Sequence, residues 1–475
     1  MSTRDSFENP LGTRYASAEM GRIFSDRFKY TTWRRIWLAI AEAECELGLP
    51  ITEDQLAELR ATLEDVNFEA ADEREKQVRH DVMAHLYAWG LQAPKAAGIL
   101  HLGATSACIT DNAELIQMRE GLKLLLGRAA AVLRSLADFA RKYKSLTCLG
   151  YTHGQPAQPT TVGKRACLWM QDLAMDVLEI ERIVRELPCR SVKGTVGTQA
   201  SFLELFDGDS AKVKRLERRV AEKLGFDRVV PVTGQTYPRK IDSQVLGALA
   251  GVAQSASKFA HDVRLLQSRH EIEEPFGKSQ VGSSAMVYKR NPMRSERICS
   301  LARHVAVLVH EAVWTASVQW FERTLDDSAG RRIYIPEAFL AADAVLVLWE
   351  NIASGLVVYP RVIQKNLADE MPFMASEAIL MTATRAGGNR QELHEHLRQH
   401  AQSSAREVLE RGKKNDFLER LAEDPLFSGA VKDLPALTDP MRFVGRAVEQ
   451  VDEFLAEHIE PLLARIEPRR AETQV

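Results

Sequence analysis

The sequence is most informative first in what it lacks. It has no run of about 18 apolar residues, so no membrane-spanning helix is expected. Its opening residues, MSTRDSFENPLGTRY, have no apolar core and carry acids, unlike a secretory signal or a transit peptide. The six cysteines (Cys45, Cys108, Cys148, Cys167, Cys189 and Cys299) form no Cys-x-x-Cys pair and are scattered. Free thiols in a reducing, cytoplasmic setting are the expectation. There is no basic excess: the net charge is −3 and the pI is near 6.5. That argues against a nucleic-acid partner, and any anion site must be a local cluster of cations. No G-x-x-x-x-G-K-[ST], G-x-G-x-x-G or G-x-S-x-G motif occurs. A P-loop NTPase is excluded, and dinucleotide enzymes and α/β-hydrolases are disfavoured.

What is present is helical. The 475 residues, 45% hydrophobic and 27% charged, suffice for two or three domains with a large core. From Asp111 to Tyr143, Leu115, Met118, Leu122, Leu125, Ala129, Val132, Leu136 and Phe139 alternate steps of three and four. That heptad seam predicts a long helix, with Asp111 or Asn112 available to cap it. Thr160–Leu187, Ile241–Glu273, Pro292–Ser317 and Glu337–Leu356 also read as long helices, hence an all-α protein built on a long bundle. Three regions follow: residues 1–105, the long helices over 106–358, and a shorter-helical, more charged remainder over 359–475. Arg465–Val475 is expected to fray.

Several segments carry chemistry. Gly282-Ser283-Ser284-Ala285-Met286-Val287-Tyr288-Lys289-Arg290-Asn291-Pro292 places hydroxyls and cations just before a helix. Free N–H groups and the helix dipole make that combination suited to an anionic substrate. His153 lies in a polar loop between Gly150 and Pro159, ahead of a helix, and a histidine there can act as a general acid or simply bond the backbone. Thr105 and Ser106, beside Gly103, can bind a carboxylate or begin a helix. Arg79-His80-Asp81 can position substrate or form a solvated ion-paired face. Gln235 sits in a loop where its amide can meet a polar group. Arg323, Ser328 and Arg332 can clamp a phosphate, since arginine forks match its oxygens. His394-Glu395-His396-Leu397-Arg398-Gln399-His400 breaks the H-E-x-x-H frame at Arg398, and the face shared by His396 and His400 reads as solvated rather than metal-binding.

The Ser283 loop, together with THGQPAQPTT, HLGATS, RHDVMAH, KGTVGTQASF and SVQWFERTLDDSA, resembles the fumarase/aspartase superfamily, and within it the adenylosuccinate lyases of animal type. The likeness spans essentially the whole chain. It implies a three-domain all-α fold whose central bundle forms the core of a homotetramer, with each active site drawn from three subunits. The implied reaction is β-elimination of fumarate from adenylosuccinate to give AMP, and from SAICAR to give AICAR. No cofactor or metal is implied, and the partners are the small-molecule substrates alone. By resemblance His153 is the catalytic acid and Ser283, with Ser284 as the alternative, the base. Thr105 and Ser106 match the fumarate-moiety site, and Arg14, Tyr15 and Arg297 match nucleotide contacts. Lys289 and Asn291 join the hydroxyls around the anionic intermediate. Val287 and Gly330 depart from the family's usual proline and asparagine. A different fumarate-releasing lyase, or a non-catalytic protein on the same scaffold, are the competing expectations.

Overall fold

The computed structural model describes residues 5–473, apart from 428, 433–435 and 437. Five long helices make the central bundle: α3 (Ser106–Tyr143), α4 (Val162–Glu186), α5 (Lys240–Ser268), α6 (Met293–Val318) and α7 (Asp327–Gly355). Helices α1 (Asp26–Glu46) and α2 (Asp81–Gln92) precede it. At 1.5 Å per residue, the 38 residues of α3 span about 57 Å. Every member of its heptad seam is buried, from Leu115 to Phe139. Leu124, Ala130, Ala131 and Leu133 are buried too. An apolar surface nearly all round fits a helix enclosed by neighbours, and α3 packs on α1, α4 and α7.

Three expectations need correction. First, α3 begins at Ser106, so Asp111 and Asn112 are not caps but buried residues one turn inside. Second, the segment ahead of α4, expected as a loop, is an antiparallel hairpin, β1 (Thr147–Thr152) with β2 (Gln155–Thr161), a small addition to the mostly helical fold. Pro156 and Pro159 cannot donate to a ladder, which is tolerated because this two-stranded sheet has only edges. A second short pair joins β3 (Ile272–Glu273) to β4 (Val357–Val358), where the α5 pattern had been expected to continue. Third, α7 starts ten residues before Glu337 and runs through Pro336. Proline costs one intrahelical bond, and helix packing on both sides overrides that local penalty.

Helices over 360–423, including α8 (Arg390–Arg411) and α9 (Phe417–Glu423), share a smaller core of Ile379, Leu393, Leu397, Phe417 and Leu421. The chain then returns to the bundle, where Val451, Leu455, Ile459 and Leu462 join the main core. Its described tail is docked, not frayed. Arg465 pairs with Glu181 at 2.7 Å, Arg470 with Glu350 at 3.1 Å, and the Arg469 N–H donates to the Gly127 carbonyl at 2.8 Å. The six cysteines are all free thiols. Among the described residues no helix is long and apolar enough to cross a membrane.

One buried group makes the fold pH-sensitive. Glu44 on α1 is fully buried, and among the described residues neither carboxylate oxygen has a hydrogen-bond partner. Burial raises its pKa from 4.5 to about 8. The folded chain therefore holds a proton that the unfolded chain releases above pH ~4.5. This contribution is complete below pH ~4.5 and is lost as pH rises through about 8. Wild type should lose thermal stability between pH 6 and 8, by roughly 1–3 kcal/mol from this group. Glu44→Gln should remove that part of the slope. Parallel melting curves for the two proteins across this range would exclude Glu44 as its source.

Candidate active site

A cleft of about 780 Å³ opens where three helices begin. At the start of α2, Arg79 takes a left-handed conformation (φ 52°) and His80 is the N-cap residue. At the start of α3, Thr105 occupies the N-cap position without spending its hydroxyl on the cap. Ser106 Oγ lies 3.4 Å from His80 Nε2. Arg323 and Ser328 flank the start of α7, and Arg332 follows one turn on. Three helix N-termini with their outward N–H groups favour an anion in the space between them. Gln235 completes the wall; its backbone is fixed by the Glu322 carbonyl at 2.9 Å and by Arg190 at 2.9 Å, which leaves its amide available. Arg79, His80, Asp81, Thr105, Ser106, Gln235, Arg323, Ser328 and Arg332, all singled out by sequence, thus converge in one cleft.

The floor is a buried ionic network. Arg239 Nε meets Asp327 at 2.7 Å and its Nη2 meets Asp111 at 3.1 Å. Asp111 accepts a further bond from the Tyr237 N–H at 2.8 Å. The Tyr237 hydroxyl donates to Asp242 at 2.6 Å and accepts from Arg331. Arg331 also pairs with Asp242 at 2.7 Å and Glu114 at 2.6 Å. Burial opposes both guanidinium charges, but Asp111 for Arg239 and Asp242 for Arg331 more than reverse it and hold both pKa values above the usual arginine value. Burial drives the Tyr237 hydroxyl well above its usual value, so it stays protonated. Arg239 Nη1 is buried with no partner among the described residues, in a side chain that lines the cleft.

Sequence reasoning missed Arg239, Arg331 and Lys29. Lys29, on α1, faces the cleft with its ammonium 4.9 and 5.2 Å from the rings of Tyr30 and Trp33. Burial lowers its pKa, with Arg332 adding to the effect. Nothing in an amphipathic helix marks one lysine as different from its neighbours. Arg239 stands four residues after Gln235 and Arg331 lies directly before Arg332, and that proximity was the only signal available.

The other sequence-predicted residues lie outside this cleft in the single chain. His153 sits at the exposed tip of the β1–β2 hairpin, in a two-residue turn where it and Gly154 both have positive φ (52° and 73°). Both central positions of this turn require such angles, which glycine adopts freely and histidine tolerates. The Ser283 loop closes on itself. Asn291 Nδ2 donates to the Gly282 carbonyl at 2.8 Å, and a Cβ on Gly282 would stand 2.1 Å from the Lys289 carbonyl. Ser283 Oγ accepts from the N–H groups of Ala285 (3.3 Å) and Met286 (3.0 Å). Ser284, Lys289 and the tip residues Val287 (98%) and Tyr288 (81%) are exposed. Arg14 and Tyr15 form a third group with Arg297, whose guanidinium stacks 5.5 Å from the Tyr15 ring centre.

Comparison with known proteins places the chain among lyases. A family model described as lyase matches residues 15–307, and one described as adenylosuccinate lyase C-terminus matches residues 372–454. Adenylosuccinate lyase of Saccharomyces cerevisiae is 51% identical, covering 97% of this chain and 96% of that protein. The Schizosaccharomyces pombe adenylosuccinate lyase is 50% identical, covering 100% and 99%. A fumarate lyase structure from Mesorhizobium sp. BNC1 superposes with a TM-score of 0.79 at 25% identity, over 94% of this chain and 99% of that one. The 3-carboxy-cis,cis-muconate lactonizing enzyme of Pseudomonas putida, at 22% identity and TM-score 0.82 over 96% and 100%, shares the fold.

The adjacent arginines of α7 should respond very unequally to truncation. Arg331→Met strands the buried Asp242, besides removing the partner of the half-buried Glu114, and should cost roughly 3–5 kcal/mol in chemical denaturation. Arg332→Met removes a pair with Asp81 whose arginine side chain is 57% exposed, and should cost under about 1 kcal/mol. Equal losses would refute this division between floor and wall.

Proposed function

This chain belongs to the adenylosuccinate lyase family, and we propose how its residues divide the labour of eliminating fumarate from adenylosuccinate to leave AMP. We infer the same elimination for SAICAR, giving AICAR. The reaction breaks a C–N bond. A base removes the proton from the carbon beside a carboxylate, the electron pair forms the fumarate double bond, and an acid protonates the departing nitrogen.

Ser283 is the base and His153 the acid. A serine hydroxyl is a weak base unless its alkoxide is stabilised. The observation that carries the assignment is the pair of backbone N–H groups directed at Ser283 Oγ, which favour the deprotonated form and single out Ser283 over Ser284. Lys289 adds a cation to the same loop. His153, on an exposed turn, is free to reach a substrate held by another subunit. Acid–base help of this kind is worth about 10²–10⁴ per group.

The cleft holds the substrate. Thr105 and Ser106 bind the carboxylates of the fumarate moiety, with Arg79, His80 and Asp81 orienting it. Gln235 meets a polar group, and Arg323, Ser328 and Arg332 clamp the phosphate. Arg14, Tyr15 and Arg297 contact the nucleotide, and Asn291 supports the anionic intermediate. Because these groups stand in separate places in one chain, we propose a homotetramer whose sites combine residues from several subunits. Supporting this, the bundle exposes large apolar side chains on consecutive helices: Met175 and Leu178 on α4, Leu265 on α5, and Val307 and Trp314 on α6. Such exposure on rigid helices fits subunit contact. The division at residues 105 and 358 belongs to the same proposal, with the middle region forming the tetramer core. A cytoplasmic location fits a purine-biosynthetic enzyme with free thiols.

Absorbance of adenylosuccinate, followed with fumarate and AMP quantified in parallel, should show equimolar products. Ser283→Ala should lower kcat at least about 100-fold with folding intact, while Ser284→Ala should not. Arg332→Ala should mainly raise KM. Mixing His153→Ala with Ser283→Ala subunits, followed by reassembly, should recover activity that neither variant has alone. No recovery from a mixed tetramer would place both residues in the same subunit's site and overturn the shared arrangement.

A further inference from the structure

Well away in sequence from the catalytic segments, α8 carries two histidines one turn apart, His396 and His400. On α8, Leu393 and Leu397 anchor one face against Phe417, Leu418 and Leu421. The two histidines border that face and meet the residue that ends α9, Asp424. The sequence left them as a solvated face; the fold supplies a third ligand from a different element. His396 Nδ1 lies 3.3 Å and His400 Nε2 2.9 Å from the same oxygen, Asp424 Oδ2. All three donor atoms fall within 4.8 Å of one another.

We propose that His396, His400 and Asp424 bind a divalent transition metal ion of the zinc class, stapling α8 to the end of α9. The donor set is two imidazoles and one carboxylate, the chemistry such ions take with a water in the fourth position. Tetrahedral bonds of about 2.0–2.1 Å place neighbouring ligand atoms about 3.3 Å apart. The His396–Asp424 edge already has that length, and the His400–Asp424 edge needs to open by a few tenths of an ångström. The ligand atoms lie within 4.8 Å of one another, so the remaining edge would need side-chain rotation to reach the tetrahedral length.

Two further features fit a ligand set rather than a chance contact. The other Asp424 oxygen, Oδ1, accepts the Leu426 N–H at 2.9 Å, which fixes the carboxylate plane while leaving Oδ2 directed at the histidines. Outer partners of this kind orient metal ligands. Exposure also rises across the triad, with side chains 11% exposed for Asp424, 28% for His400 and 42% for His396. The carboxylate is thus held inside and the outermost imidazole leaves a path for the ion and its water.

The test uses untagged, full-length protein stripped with a chelator. Calorimetric titration with Zn²⁺ should give one saturable site per chain, and Co²⁺ should give the visible bands of a four- or five-coordinate ion. Zn²⁺ should also raise the melting temperature. His400→Ala and Asp424→Asn should each weaken Zn²⁺ binding at least about tenfold and abolish the Co²⁺ bands. Asp424→Asn keeps the acceptor for Leu426 and so retains the local turn, which leaves the test decisive if His400→Ala folds poorly. No saturable site in wild type, or equal binding in Asp424→Asn, would overturn the proposal and leave a histidine–carboxylate hydrogen-bonded cluster.

Discussion

The structure turns on a set of charges buried at the floor of the cleft. Arg239 and Arg331 join α3, α5 and α7 through Asp111, Asp242, Asp327 and Glu114, with the Tyr237 hydroxyl between them. Buried ion pairs are weak sources of net stability, because desolvation consumes much of their attraction. Their value here is positional. Each guanidinium fork satisfies carboxylates on two elements, so the starts of α3 and α7 cannot shift relative to each other without stranding a charge. Ser106 and Ser328 sit at those two starts, and the spacing between their hydroxyls is thereby fixed.

The rest of the bundle serves that constraint. Long helices place their termini at fixed points, and a turn at each terminus presents one or two functional side chains. Backbone N–H groups freed at the starts of α2, α3 and α7 face a common space, so positive potential gathers locally in a chain with a net charge of −3. Lys29 and Arg332 share the cleft, and Asp81, which pairs with Arg332, offsets part of the lowering of the Lys29 pKa by burial and by Arg332.

Legibility in the sequence varied with the kind of interaction. The α3 seam was plain because helical periodicity is local, and all eight of its residues are buried. The hairpin at Thr147–Thr161 was not, since two prolines and two glycines imitate a loop and only pairing reveals strands. Pro336 gave a false start for α7 because its local cost is outweighed by packing on α3, α5 and α6. Asp111 looked like a helix cap when its true partners, Tyr237 and Arg239, stand more than 120 residues away. Arg331 and Arg332 are chemically identical neighbours, yet one is 4% and the other 57% exposed at the side chain. No periodic pattern distinguishes them, because the direction of each side chain depends on which helices surround α7.

The sequence by itself determined the helical character, the free thiols and the short motifs whose residue types suit acid–base elimination on an anionic substrate. Each of these rests on local spacing or composition. Tertiary structure alone decided that nine motif residues share one cleft while His153 and the Ser283 loop stand apart from it. It also decided that Asp424 comes to meet His396 and His400. These are meetings between residues far apart along the chain, fixed by helix packing and buried charge pairing, and no window of sequence contains them.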